Sequence, residues 1–139
     1  MAISESHAGR RYPPTAAYEV SSAKIAEFAA ALGDEAAAAD PQVAPPTFAV
    51  VVSSAAWQQM FDDPELELAL SRIVHGDQTF RYTRPLHAGD VITAELTIEK
   101  VRARAGRELI SIAVAVVTTD GEPVCTAEST LVHAREAAA

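Results

Sequence analysis

The side chains in this chain that could move a proton are few and scattered. Asp34 follows Gly33, His75 and Asp77 sit two residues apart, His87 lies beside Ala88-Gly89-Asp90, and His7 and His133 fall near the two ends. A carboxylate with an imidazole is a pairing that general acid–base chemistry uses, one group taking a proton while the other delivers one. Residues two apart on a regular strand point the same way, so His75 and Asp77 are expected to share a face. Each residue also has a plain structural reading. Asp34 reads as a helix-end carboxylate beside a glycine cap, and His75 as a packed or solvated strand histidine. There is no G-x-S-x-G elbow, glycine-rich phosphate loop or paired-carboxylate signature. The lone cysteine, Cys125, alternates with Val124 and Thr126 and reads as a small buried hydrophobe. No Cys/His spacing fits zinc, and neither a metal nor a cofactor is implied.

The elements that must position these groups are centred on residues 71–101. Before a corner at Arg84-Pro85, Gln78, Phe80 and Tyr82 alternate with Thr79, Arg81 and Thr83; after it, Ile92, Ala94, Leu96 and Ile98 alternate with Thr93, Glu95 and Thr97. That period of two puts one face on a core and the other in water. Four strands are predicted, over 74–83, 91–102, 108–118 and 123–135, with turns at Ala105-Gly106 and at Asp120-Gly121, the latter a two-residue hairpin signal. Tyr18 to Val20 is a further short strand. Ser21 or Ser22 caps a helix running through Leu32, which Gly33 ends. Thr47 is expected to cap a second helix reaching about Phe61, whose first turns are apolar or small all round, so that it is buried. Residues 1–14 read as an arm leading into the fold, 34–43 as an alanine-rich connection, 62–70 as a loop or short helix and 136–139 as a frayed tail. One antiparallel sheet gripping a helix leaves edges open, so a dimer is expected on physical grounds.

Composition narrows the function. At 139 residues with 49% apolar composition, the chain is long enough for one domain, spanning residues 1–139, with its own core. A net charge of −8 argues against nucleic acid as a partner. The longest apolar run, 48–57, falls far short of the roughly 20 residues a membrane span requires. No signal-peptide pattern opens the chain, so a cytoplasmic location is the default.

The order strand, R-P-x-x-A-G-D, long strand resembles the hot-dog fold of the MaoC-like (R)-hydratase and dehydratase superfamily. Within it, the chain is most similar to small actinobacterial subunits related to (3R)-hydroxyacyl-ACP dehydratases, of the FAS1-like, UPF0336 type. Tyr12-Pro13-Pro14, Tyr18-Glu19-Val20, Ala44-Pro45-Pro46-Thr47-Phe48 and Val74-His75-Gly76-Asp77-Gln78 fit that group in order. The resemblance implies an α+β fold, a single antiparallel sheet wrapped around a central helix. It also implies a catalytic motif, G-D-x-N-P-x-H, whose aspartate and histidine act on a β-hydroxyacyl thioester. Here the motif begins as Gly33-Asp34 and then fails: Ala36, Ala37 and Ala39 occupy the asparagine, proline and histidine positions. Alanine cannot move a proton.

The resemblance therefore implies a substrate-binding subunit, with a homodimeric or heterodimeric arrangement and a motif-complete partner. Asp34 and His75 remain the catalytic candidates. Phe48, Val51, Val52, Ala55 and Trp57 suit an acyl channel, although core packing also accounts for them. Lys100, Arg102, Arg104 and Arg107 cluster at a predicted hairpin tip, where they could dock the phosphopantetheine or acidic surface of an acyl-ACP, or an acyl-CoA. A solvated hairpin end is the competing reading. A stand-alone hydratase or thioesterase with a relocated base, and a non-enzymatic acyl-binding dimer, stay open.

Overall fold

Alternating apolar residues on four long segments force one curved sheet to close over whatever apolar element can fill it. The computed structural model, which describes residues 2–135, shows this arrangement. Strands β1 (Tyr18–Glu19), β2 (Ile73–Tyr82), β3 (Val91–Arg104), β4 (Arg107–Thr118) and β5 (Pro123–Ala134) form one antiparallel sheet in the order β1-β3-β4-β5-β2. Helix α3 (Val50–Phe61) sits in its concave side, preceded by α1 (Ser22–Ala31) and a short α2 (Glu35–Ala39). Ile92, Ala94, Leu96 and Ile98 from β3 and Ile110, Ile112, Val114 and Val116 from β4 are buried with Phe48, Val52, Ala56 and Met60. Each such large side chain contributes roughly 2 kcal/mol through the water it sheds.

Local chemistry explains the element ends. The Ser21 side chain accepts from the Lys24 amide at 3.1 Å and caps α1, and Gly33 ends it at φ +78°, a conformation few other residues tolerate. Thr47, in contrast, caps nothing. A 3-10 turn over Pro46–Ala49 leads directly into α3, which has no side-chain cap. Pro45 and Pro46 preset this entry, since a proline at the first helical position lacks an N–H that would need an acceptor. The tip at Ala105 and Gly106 is a tight turn with positive φ at both residues. The Asp120-Gly121 hairpin is wider than its sequence implies, leaving residues 119–122 between the strands. Pro123 has no N–H with which to close the ladder, so the Thr118 amide and hydroxyl both engage Glu122 instead.

Two further features come from the tertiary fold. Residues 9–15 pair along the outer side of β3, through Gly9 to Ile98, Tyr12 to Leu96 and Thr15 to Ala94, and Ile3, earlier in the same arm, is fully buried. That edge of the sheet is covered, while the outer edge of β2 has no strand beside it among the described residues. Second, β2 carries a bulge between His75 and Asp77. A Cβ at Gly76 would stand 3.1 Å from the Thr130 carbonyl, so a glycine suits the bulge. No described helix is long and apolar enough to cross a membrane. The tail at 136–139 lies outside the described residues.

Candidate functional site

The corner between β2 and β3 is built by one arginine. Arg84 grips Asp90 with two guanidinium nitrogens, Nη1 to Oδ2 at 2.9 Å and Nη2 to Oδ1 at 3.2 Å, and its Nε donates to Glu122. The His87 amide donates to Asp90 Oδ2 at 2.7 Å. Burial works against the Asp90 carboxylate, but the Arg84 and His87 hydrogen bonds outweigh it and hold the carboxyl below its ordinary range. Such forked, charge-assisted pairs orient as well as attract. The corner also holds the alanine-proline segment, because Val43 bridges His87 and the Ala44 amide donates to the Leu86 carbonyl at 2.8 Å.

Between corner and segment lies a cavity of about 420 Å³, bounded by Val43, Ala44, Pro46, Tyr82, Thr83, Arg84 and Pro85. Its lining is mostly apolar with a guanidinium at the edge, the usual character of a small-molecule site. The Tyr82 hydroxyl donates to the Pro46 carbonyl and secures the entrance to α3. Burial pushes the Tyr82 hydroxyl well above its usual range and the neighbouring Cys125 thiol up to about 11. None of the catalytic, substrate-binding or carrier-docking candidates drawn from the sequence lines this cavity. The signal that could have found it was present, because both of its walls are motifs that carry the family resemblance.

Asp34 stands apart from it. Its side chain accepts from the Ala37 amide at 3.1 Å, capping α2, and it is exposed. Ala36, Ala37 and Ala39 form that one short helix, and no imidazole contacts Asp34 among the described residues. His87 is exposed and engaged through its backbone.

His75 and Asp77 do not share a face, which corrects the expectation from spacing. The bulge at Gly76 reverses the alternation: Asp77 Oδ1 accepts from the Thr130 amide at 2.8 Å, while His75 turns toward α3. There its ring meets Trp57 edge-on, centroids 5.1 Å apart, and its Nε2 lies 3.1 Å from Gln78 Oε1. Ser129 Oγ donates to the same Gln78 oxygen at 2.5 Å. Of the channel candidates, only Trp57 joins this cluster. Phe48 and Val52 are buried in the core, Val51 is half-buried, and Ala55 is exposed on another side of α3.

A second polar pair escaped the sequence reading altogether. Glu108 and His133 face each other across β4 and β5, both almost fully buried, with Nδ1 3.6 Å from Oε1. The Ala69 amide donates to His133 Nε2 at 3.2 Å, which pins the segment before β2 and leaves the Nδ1 proton toward Glu108. Arg135 Nε approaches the same carboxylate at 2.8 Å. Only the strand register brings these residues together, so spacing carries no trace of them. Near them, Lys100, Arg102, Arg104 and Arg107 project from the β3–β4 hairpin, all exposed and with no ion pair to a described residue. Arg104, Arg107 and Arg135 surround a hollow of about 180 Å³.

Comparisons with known proteins agree with this fold. A model of the family described as FAS1-like, dehydratase domain region, matches residues 6–127. A UPF0336 protein of Cutibacterium acnes is 49% identical over 137 residues, spanning 97% of this chain and 96% of its own. Another, from Saccharopolyspora erythraea, is 45% identical over 143 residues, spanning 95% and 92%. The chain is similar to the C-terminally truncated HadBC (3R-hydroxyacyl-ACP dehydratase) complex of Mycobacterium tuberculosis, with 29% identity and a TM-score of 0.74, over 91% of this chain and 96% of that one. A MaoC-like dehydratase superposes with a TM-score of 0.78 at 29% identity, over 94% of this chain and 43% of the other.

Proposed function

The chain belongs to the FAS1-like dehydratase domain family, among the MaoC-like hot-dog dehydratases, and from that membership we propose that it is the substrate-binding, catalytically incomplete subunit of a (3R)-hydroxyacyl-thioester dehydratase. Its partner is a second hot-dog chain with an intact Asp/His pair, and its setting is cytoplasmic acyl-chain elongation. The observation that carries this reading is the state of the Gly33–Asp40 turn. Dehydration requires one group to remove the α-proton and another to protonate the departing hydroxyl. Asp34 here holds a backbone amide and has alanine where the second group belongs.

The rest of the molecule supports a partnered role. Among the described residues the outer edge of β2 has no strand beside it, and next to it Leu70 and Val74 are 66% and 65% exposed. A free strand edge flanked by large apolar side chains favours pairing with another chain. The cavity at the Arg84 corner suits a thioester-bearing arm, and the basic hairpin tip suits a phosphate or an acidic carrier surface.

The test is reconstitution. Hydration of an enoyl thioester is measured for the purified chain, for a motif-complete hot-dog partner and for the two together. The expected result is no turnover by the chain alone and a rise of about 100-fold or more on mixing, the scale of a general acid–base contribution. Ordinary turnover by the isolated chain, lost in His75→Ala, would favour a stand-alone enzyme with a relocated base. Tight acyl binding with no gain on mixing would favour an acyl-binding dimer.

A further inference from the structure

The apolar cavity and the arginine-lined hollow lie at opposite ends of the sheet. The cavity is at the Arg84 corner, where β2 ends and β3 begins, and the hollow is at the β3–β4 turn. Strand β3 runs 14 residues between them, about 40 Å along the strand at the usual rise. In the hollow, Arg104 and Arg107 face each other directly across the ladder. Like charges so placed are destabilising, and an anion between them relieves the repulsion. Arg135 is the third cation of the lining. Its Nε approaches the buried Glu108 carboxylate at 2.8 Å, and its Nη2 donates to the Ile3 carbonyl at 3.4 Å, so the side chain is held in place. Ala103, Ala105 and Gly106 supply the rest of the lining. No carboxylate lines the hollow, in a chain whose net charge is −8.

Distance decides which active site an anion held there would serve. The Gly33–Asp40 turn leads into residues 42–46, which the corner holds, the Ala88 amide donating to the Gln42 carbonyl at 2.9 Å and the Ala44 amide to Leu86. A motif-complete chain of the same fold therefore carries its Asp/His turn at its own corner. All strand neighbours in this sheet are antiparallel, and β2 is an open edge among the described residues. Two such edges joined like to like also run antiparallel, which sets the start of β2 in one chain beside the end of β2 in the other. The β3–β4 turn belongs to the start of β2, because Ile73 pairs with His133 and Arg107 with Ala134. Only β2, β5 and β4 then separate it from the partner's corner, roughly 15 Å at the usual strand spacing. We propose that Arg104, Arg107 and Arg135 form the phosphate seat of the partner's active site, gripping the phosphate of the arm that bears the thioester while the partner's Asp/His pair acts on the acyl group. The inference rests on the partnered reading above and adds what the incomplete subunit contributes across the interface. Guanidinium groups suit this role because their hydrogen bonds to phosphate are charge-assisted and forked.

Hydration by the chain assembled with its motif-complete partner is measured with three crotonyl thioesters: of CoA, of a phosphopantetheinylated carrier protein and of pantetheine, which has no phosphate. Arg104→Ala/Arg107→Ala in this chain is expected to raise KM at least about tenfold for the phosphate-bearing thioesters, with kcat within about twofold. Arg135 is left in place because it also meets Glu108. A rise for both CoA and carrier thioesters identifies the phosphate of the shared arm, and a rise for CoA alone identifies the nucleotide phosphates; either supports the seat. A rise for the carrier thioester alone assigns the arginines to the carrier's protein surface and overturns it. So does no rise, or an equal rise for the pantetheine thioester. Acidic substitutions at the partner's own β3–β4 turn test the direction: a larger KM rise there than from this chain's variant overturns the assignment across the interface. All of these leave the partnered role standing, whereas no gain in turnover on mixing the two unsubstituted chains overturns that role as well.

Discussion

Two glycine-aspartate turns bear on the family resemblance, and they have opposite fates in the structure. At the Arg84–Asp90 corner the charged side chains are engaged: Asp90 takes two guanidinium nitrogens and the His87 amide, with its side chain 17% exposed. At the Gly33–Asp40 turn, Asp34 takes one amide of its own short helix and faces solvent. The difference separates two reasons for a residue to sit in a motif. The corner joins three distant segments, so the fold itself needs its residues. The other turn joins nothing that backbone capping could not hold, and its carboxylate meets no imidazole among the described residues.

The largest expected effect tests the corner. Arg84→Ala removes three side-chain hydrogen bonds to Asp90 and Glu122 and leaves Asp90 with a charge its surroundings oppose. A loss of about 3 kcal/mol is expected, read as a lower urea midpoint with an unchanged slope. A loss below about 1 kcal/mol would remove the corner's claim to be structural.

Acid sharpens the same contrast. Asp90 and Asp63 both titrate below their ordinary value of 3.8. At Asp63 burial is again outweighed, by hydrogen bonds from Tyr12 at 2.6 Å and Arg10 at 2.8 Å. A carboxyl with a lowered folded pKa adds stability that is complete above its unfolded value and disappears as the pH falls through the folded one. Stability should hold steady down to about pH 4 and drop below it, with a shallower drop in Asp90→Asn.

Tyr12→Phe has a smaller effect, about 1.5 kcal/mol for one hydrogen bond to a carboxylate. It should appear first as faster amide exchange at Tyr12 and Thr15, where the arm pairs with β3. This variant tests a region that spacing does not reveal. The strands and the buried helix were legible because alternation and an all-apolar run reflect burial directly. The arm's pairing to β3, the Gly76 bulge and the Glu108–His133 pair were not, because each depends on register between segments far apart in sequence. The bulge is instructive: two residues of regular strand would align His75 with Asp77, and one extra residue sends His75 to Trp57 instead. Of the candidate site, the alanine at position 39 was legible by counting, whereas the contact of His75 with Trp57 required the structure.

The smallest expected effect is the most discriminating. Asp34→Ala removes one exposed cap from a helix of five residues and should cost about 0.5–1 kcal/mol. If the carboxylate only caps, dehydration by the assembled pair should keep kcat within about twofold of the unsubstituted complex. If it moves a proton, the loss should approach the 100-fold or more that a general acid or base contributes. Arg84→Ala cannot make this distinction, because a disturbed corner lowers activity for structural reasons alone. Asp34→Asn supplies the control: the amide oxygen still caps the helix but cannot take a proton, so full activity in Asn and Ala alike would leave the turn with a structural role only.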